Sequence, residues 1–147
     1  MHWLPIDGRG YELMPQDFEW KSSYSVGHVV LDRQHQQLFR LCKQASECAA
    51  GNSGDFTVVL NDLVRFAIAH FDTEEAFLKS CNYAELEAQE NDHHDFMVKI
   101  MDFCNESMAS KVDKVAFAAF AWAWWKSRVL ISDMQYRSTV LKLRVSI

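Results

Sequence analysis

An all-α fold, an up-and-down antiparallel four-helix bundle with an N-terminal arm, is what this sequence predicts, on three observations. The 147 residues include only 5 Gly and 2 Pro, so few positions interrupt a helix. Apolar residues recur three and four apart along four long stretches, the spacing of one helix face. Turn residues such as "GNSG" at 51–54 separate the stretches. A chain of this length fits one domain, 1–147, and can bury a core without disulfides or a metal to staple it.

Residues 1–27 scatter Trp3, Pro5, Tyr11, Pro15, Phe18, Trp20 and Tyr24 without a period, which predicts an arm laid over one end of the bundle. The bundle itself is expected over 28–147. Asp32 offers an N-cap for a first helix running to about Ala50. The second helix is expected from about Asp55 to Ser80, stopped by Asn82, and the third from about Ala84 to Ala109. The fourth starts near Val112 and continues past Trp125. Trp122, Trp124 and Trp125 are expected to pack in its core face.

Composition narrows the function. A net charge of -5 disfavours a nucleic-acid surface, which needs a clustered basic face. The longest apolar run, Val115 to Trp125, is too short to cross a bilayer, and the N-terminus has no secretory signal pattern, so a cytoplasmic location is expected. Cys42, Cys48, Cys81 and Cys104 form no CxxC pair and read as small apolar fillers.

The inward stripes carry the functional argument. They read His35, Leu38, Cys42, Ala45 and Ala49 on helix one, and Phe56, Leu60, Leu63, Ala67, His70, Glu74, Leu78 and Cys81 on helix two. Helix three gives Leu86, Gln89, His93, Phe96, Ile100 and Phe103; helix four gives Phe117, Ala121, Trp124 and Arg128, with Asp133 just beyond. In an antiparallel bundle the polar members all fall at the same end. Three inward histidines and two inward carboxylates at one level predict a metal site or its remnant, because buried carboxylates need a cation or donors. His94 and His28 are expected off the stripe, and His2 in the arm has no assigned role.

The segments "YSVGHVVLDRQHQQL", "HFDTEEAFL" and "NYAELEAQENDHHDF", with a Trp-rich fourth helix ending in an Asp, resemble the hemerythrins, most closely the bacteriohemerythrins. The resemblance covers roughly residues 20 to 140. It implies a non-haem di-iron site that binds O2 reversibly through five histidines and two bridging carboxylates. Carried over, His35, His70 and His93 take histidine-ligand places, and Glu74 and Asp133 the bridging places. Two ligand places depart from the pattern: Gln89 stands at the first helix-three histidine and Arg128 at the helix-four histidine.

Arginine carries only donors and stays protonated, so Arg128 cannot ligate iron. Glutamine is a neutral, weaker ligand than imidazole. By the resemblance, the iron served by helices one and two keeps His35 and His70 with Glu74 and Asp133, while the other retains only His93. One metal or none is therefore expected, with an Arg128 salt bridge to Asp133 or Glu74 in the space of the lost iron, since a guanidinium is able to grip a carboxylate through two parallel hydrogen bonds. The expected function is metal binding with a small molecule such as O2 or NO as partner, and no enzymatic step, since no further acid, base or nucleophile stands out. Two alternatives stay open: a working di-iron carrier or sensor in which Gln89, Glu90, His94 or water substitutes, and a mononuclear non-haem iron enzyme.

Overall fold

A computed structural model describes residues 17–52 and 54–145. His2 and the arm residues Trp3, Pro5, Tyr11 and Pro15 lie outside the described residues. Four long helices make the bundle: α1 Val29–Ala49, α2 Phe56–Ser80, α3 Leu86–Met108 and α4 Lys114–Ser127. The chain then runs through a π-helical turn, Arg128–Ser132, and a 3-10 turn, Asp133–Tyr136, into α5, Arg137–Val145. No strand occurs among the described residues.

The helix ends follow local chemistry with one correction. Asp55 caps α2 by accepting from the Thr57 N–H, and Asp113 caps α4 by accepting from Ala116 N–H. The cap of α1 is His28, whose Nδ1 accepts from Leu31 N–H, rather than Asp32. Asp32 sits inside the first turn and turns back to accept from Val26 N–H and the Ser25 hydroxyl, tying the end of the arm to the helix. Asn82 ends the α2 region with a φ of 54°, a left-handed conformation that a short polar side chain tolerates.

The core is built from the predicted stripes. α1 packs against α2 and α4, and α2 against α3. α3 and α4 meet through aromatic rings, with Phe96 4.4 Å from Trp124 and Phe103 5.3 Å from Phe117 between ring centres. Of the predicted stripe residues, only Ala49, Cys81 and Leu86 escape full burial. The described arm residues cover this core from the α1–α4 side: Phe18 lies 4.6 Å from Trp122, and Trp20 5.7 Å from Phe39. All four cysteines are free, as fillers should be.

A second, smaller cluster, Val26, Leu31, Leu78, Tyr136 and Val140, closes the end of the bundle where the polar residues gather. Five residues apart on an α-helix, Arg128 and Asp133 would point about 140° apart. The π turn removes that divergence: Asp133 N–H bonds Arg128 C=O, an i to i+5 bond, and both side chains are buried. Periodicity of 3.6 residues could not have found this turn, although the unusual spacing of two inward polar residues pointed at it.

Candidate metal centre

Seven polar side chains are buried at this end: His35, His70, Glu74, Gln89, His93, Arg128 and Asp133. These are the seven that the inward stripes single out. Glu90 and His94 are exposed, so neither faces the cluster, and His28 is spent on the α1 cap.

The two carboxylates divide the cluster into halves. Glu74 directs Oε2 towards His70 Nε2 at 3.3 Å and Oε1 towards His93 Nε2 at 2.9 Å. Asp133 directs Oδ2 towards His35 Nε2 at 3.0 Å and Oδ1 towards Arg128 Nε at 3.3 Å. Each carboxylate thus offers one oxygen to a histidine pair, His35 and His70, and the other to a half that contains His93 and a guanidinium.

In the first half the donor set fits a metal ion. His35, His70, Glu74 and Asp133 each bring a ligand atom within 4.8 Å of all the others, and all four are fully buried. Ligand atoms about 2.1 Å from one ion lie about 3.0 Å apart as neighbours and about 4.2 Å apart when opposite. The ring nitrogens of His35 and His70 are 3.2 Å apart, and His35 Nε2 is 4.0 Å from Glu74 Oε2.

A chain of hydrogen bonds sharpens the fit. The Thr73 hydroxyl donates to Ala69 C=O, so its oxygen accepts from Gln34 Nε2. That orients the Gln34 amide with Oε1 towards His70 Nδ1, 2.8 Å away, which must carry the proton. A neutral His70 then turns its Nε2 lone pair into the cluster, 3.3 Å from the Glu74 oxygen and 3.2 Å from His35 Nε2, where a cation would meet it. Burial lowers the His35 pKa to about 4 and lowers that of His70 as well, which leaves both rings neutral at neutral pH, the form that ligates metal.

The second half holds the expected ion pair of Arg128 with Asp133, although through one nitrogen and not through two parallel bonds. Arg128 Nη1 donates to Asp92 Oδ2 at 2.8 Å, its Nη2 lies 3.3 Å from His93 Nε2, and its Nε faces Asp133 at 3.3 Å without hydrogen-bond alignment. The guanidinium also lies over the Trp124 ring, 5.5 Å from its centre. Asp92, a partly exposed acid beside the stripe, competes successfully because it reaches the outer edge of the guanidinium without being buried itself.

Other groups hold the carboxylates and His93. The Tyr136 hydroxyl donates to Glu74 Oε2 at 2.8 Å, and His93 Nδ1 contacts Glu75 Oε1 at 2.8 Å while its ring stacks on Phe71 at 4.0 Å. Burial and the Glu74 charge raise the Asp133 carboxyl well above the usual range, and Arg128 only partly offsets them. Gln89 is buried with its amide oxygen unpartnered. A cavity of about 210 Å³ lined by Asp92, Trp124, Ser127, Arg128 and Ser132 adjoins this half.

Sequence reasoning missed Gln34, Glu75, Asp92 and Tyr136. Gln34, Glu75 and Asp92 each neighbour a predicted site residue along the chain, the one signal that could have found them. No described helix is long and apolar enough to cross a membrane.

Comparison with known proteins agrees with this geometry. A family described as the Hemerythrin HHE cation binding domain matches residues 26–136. Myohemerythrin of Riftia pachyptila is 28% identical over 86% of this chain and 97% of its own length. Bacteriohemerythrin of Clostridium acetobutylicum is 26% identical over 81% of this chain and 98% of its own. A crystal structure of a leucine-to-phenylalanine mutant protein superposes with a TM-score of 0.73 at 19% identity, over 87% of this chain and 97% of that one, which establishes the shared fold.

Proposed function

The chain belongs to the hemerythrin HHE cation-binding family, and on that premise we propose that it is a single-metal binding protein for a small ligand such as O2 or NO, not an enzyme. The observation that carries the reading is the Arg128 guanidinium beside His93 and Asp133, where the family pattern requires a histidine and a second ion. His35, His70, Glu74 and Asp133 would hold the one ion, iron by family analogy. Bound there, the ion would supply open positions for a small ligand.

The residues of the chain divide the remaining work. Gln34 keeps the His70 proton on Nδ1, so Nε2 stays available. Tyr136 holds Glu74 Oε2, and Arg128 contributes the positive charge that a second ion would otherwise bring to the shared carboxylates. A reversible two-electron capture of O2 that draws one electron from each of two irons is out of reach for one ion.

Metal content per chain, measured after production with added iron, is expected to be one, with no bridged di-iron charge-transfer band appearing on exposure to O2. Two ions with such a band would overturn the reading, and none would leave a closed polar network in its place. Gln34→Ala is expected to weaken metal binding by about 10- to 100-fold, the range for losing a partner that orients a histidine ligand; chelator competition measures it.

A further inference from the structure

Asp92 is more than half exposed, its side chain at 57%, yet it makes the shortest contact to a guanidinium that is itself 3% exposed. The contact joins α3 to the π turn across 36 residues of sequence. An ion pair with an exposed partner contributes little to stability in general, so overall stability does not account for this placement. The geometry does. Arg128 has two carboxylates within reach, Asp92 outside and Asp133 inside. A guanidinium gripping Asp133 through two parallel bonds would engage both of its oxygens. It would thereby take Oδ2 away from His35, 3.0 Å off.

We infer that Asp92 is a positioning residue for the metal centre: by holding Arg128 at Nη1, it keeps Asp133 Oδ2 free for the ion. The inference rests on the single-metal reading above. Three features of the structure support it. Arg128 Nε and Asp133 Oδ1 lie 3.3 Å apart but neither makes an aligned hydrogen bond, so the inner pair is held short of full engagement. The Trp124 ring, its centre 5.5 Å from the guanidinium carbon, gives Arg128 a further partner that favours its place between Asp92 and Asp133. The adjoining cavity leaves Asp92 in contact with solvent and its ions, so salt can reach the outer pair while the inner one stays shielded. Metal affinity in this chain is therefore tied to ionic strength through a residue that never touches the metal.

The test is chelator competition for Fe(II), with Zn(II) as a redox-inert check, on the parent chain, Asp92→Asn, Asp92→Glu, Arg128→Gln and the Asp92→Asn/Arg128→Gln double variant. Asp92→Asn is expected to bind metal about 10-fold more weakly, the lower end of the range for outer-shell partners, and Asp92→Glu to recover most of the loss. Raising salt should weaken binding by the parent and leave Asp92→Asn nearly unchanged. In the Arg128→Gln background, Asp92→Asn should have no further effect, because nothing remains to be released. A parent that binds one ion with an affinity indifferent to Asp92→Asn overturns the inference alone. An equal loss from Asp92→Asn with and without Arg128 also overturns it. A parent that binds no ion, or two, overturns the single-metal reading and this inference with it.

Discussion

The Gln89→His/Arg128→His double variant is expected to take up two metal ions per chain where the parent takes one. The second half of the site already has His93 Nε2, Glu74 Oε1 and Asp133 Oδ1 aimed at a common region. What it lacks is ligand number and the right charge. Arg128 offers donors only and places a positive charge beside any ion that would enter. The two substitutions remove that charge and add two imidazoles, one of them four residues before His93 on the same face of α3. Gln89 is buried with an amide oxygen that no donor reaches, so its replacement sacrifices no bond. Metal analysis with an absorption spectrum before and after O2 decides the matter. Continued binding of one ion by the double variant would mean that the π turn, rather than the two side chains, prevents the second from entering.

Replacing Arg128 by methionine is expected to destabilise the metal-free protein by about 3–5 kcal/mol at pH 8, the cost of breaking a buried ion pair and leaving the other charge behind. Arg128 and Asp133 are 3% and 0% exposed, so solvent screening offers little relief. The loss should shrink in acid, and the sign follows from Asp133. Burial and Glu74 already raise its pKa above the unfolded value, while Arg128 opposes the rise. Without Arg128 the folded pKa climbs further. A group with a raised folded pKa contributes stability that is complete below its unfolded pKa and is lost as pH rises through the folded one. The difference between parent and variant therefore widens from acid towards pH 8. Urea unfolding of the metal-free proteins at pH 5 and pH 8 measures it, and a pH-independent deficit would place the damage in packing against Trp124 instead.

The contrast between what the chain reveals in one dimension and in three is clearest at particular residues. His35, His70, Glu74, Gln89, His93, Arg128 and Asp133 were legible because each occupies an inward stripe, and because short connections bring one end of every helix to the same level. Their burial follows from period and connectivity, except at Asp133, which the π turn brings inward. Gln34 and Asp92 were not legible. Each lies one residue, about 100° of helix, from an inward ligand position, so periodicity assigns them to the flank. Their roles come from side-chain contacts with Thr73, His70 and Arg128 on other elements.

The end of α4 makes the same point about the backbone. Two inward polar residues five apart do not share a face of an α-helix, and the π turn absorbs the extra residue while Val129 within it packs into the main core. By itself, then, the sequence determined the bundle, the level of the site and which polar residue types gather there, since these depend on residue type and spacing. Which carboxylate Arg128 holds, which His70 nitrogen carries the proton, and which oxygens remain for a metal were decided only by the tertiary structure. They are competitions among neighbours within about 4 Å, settled by distance and burial.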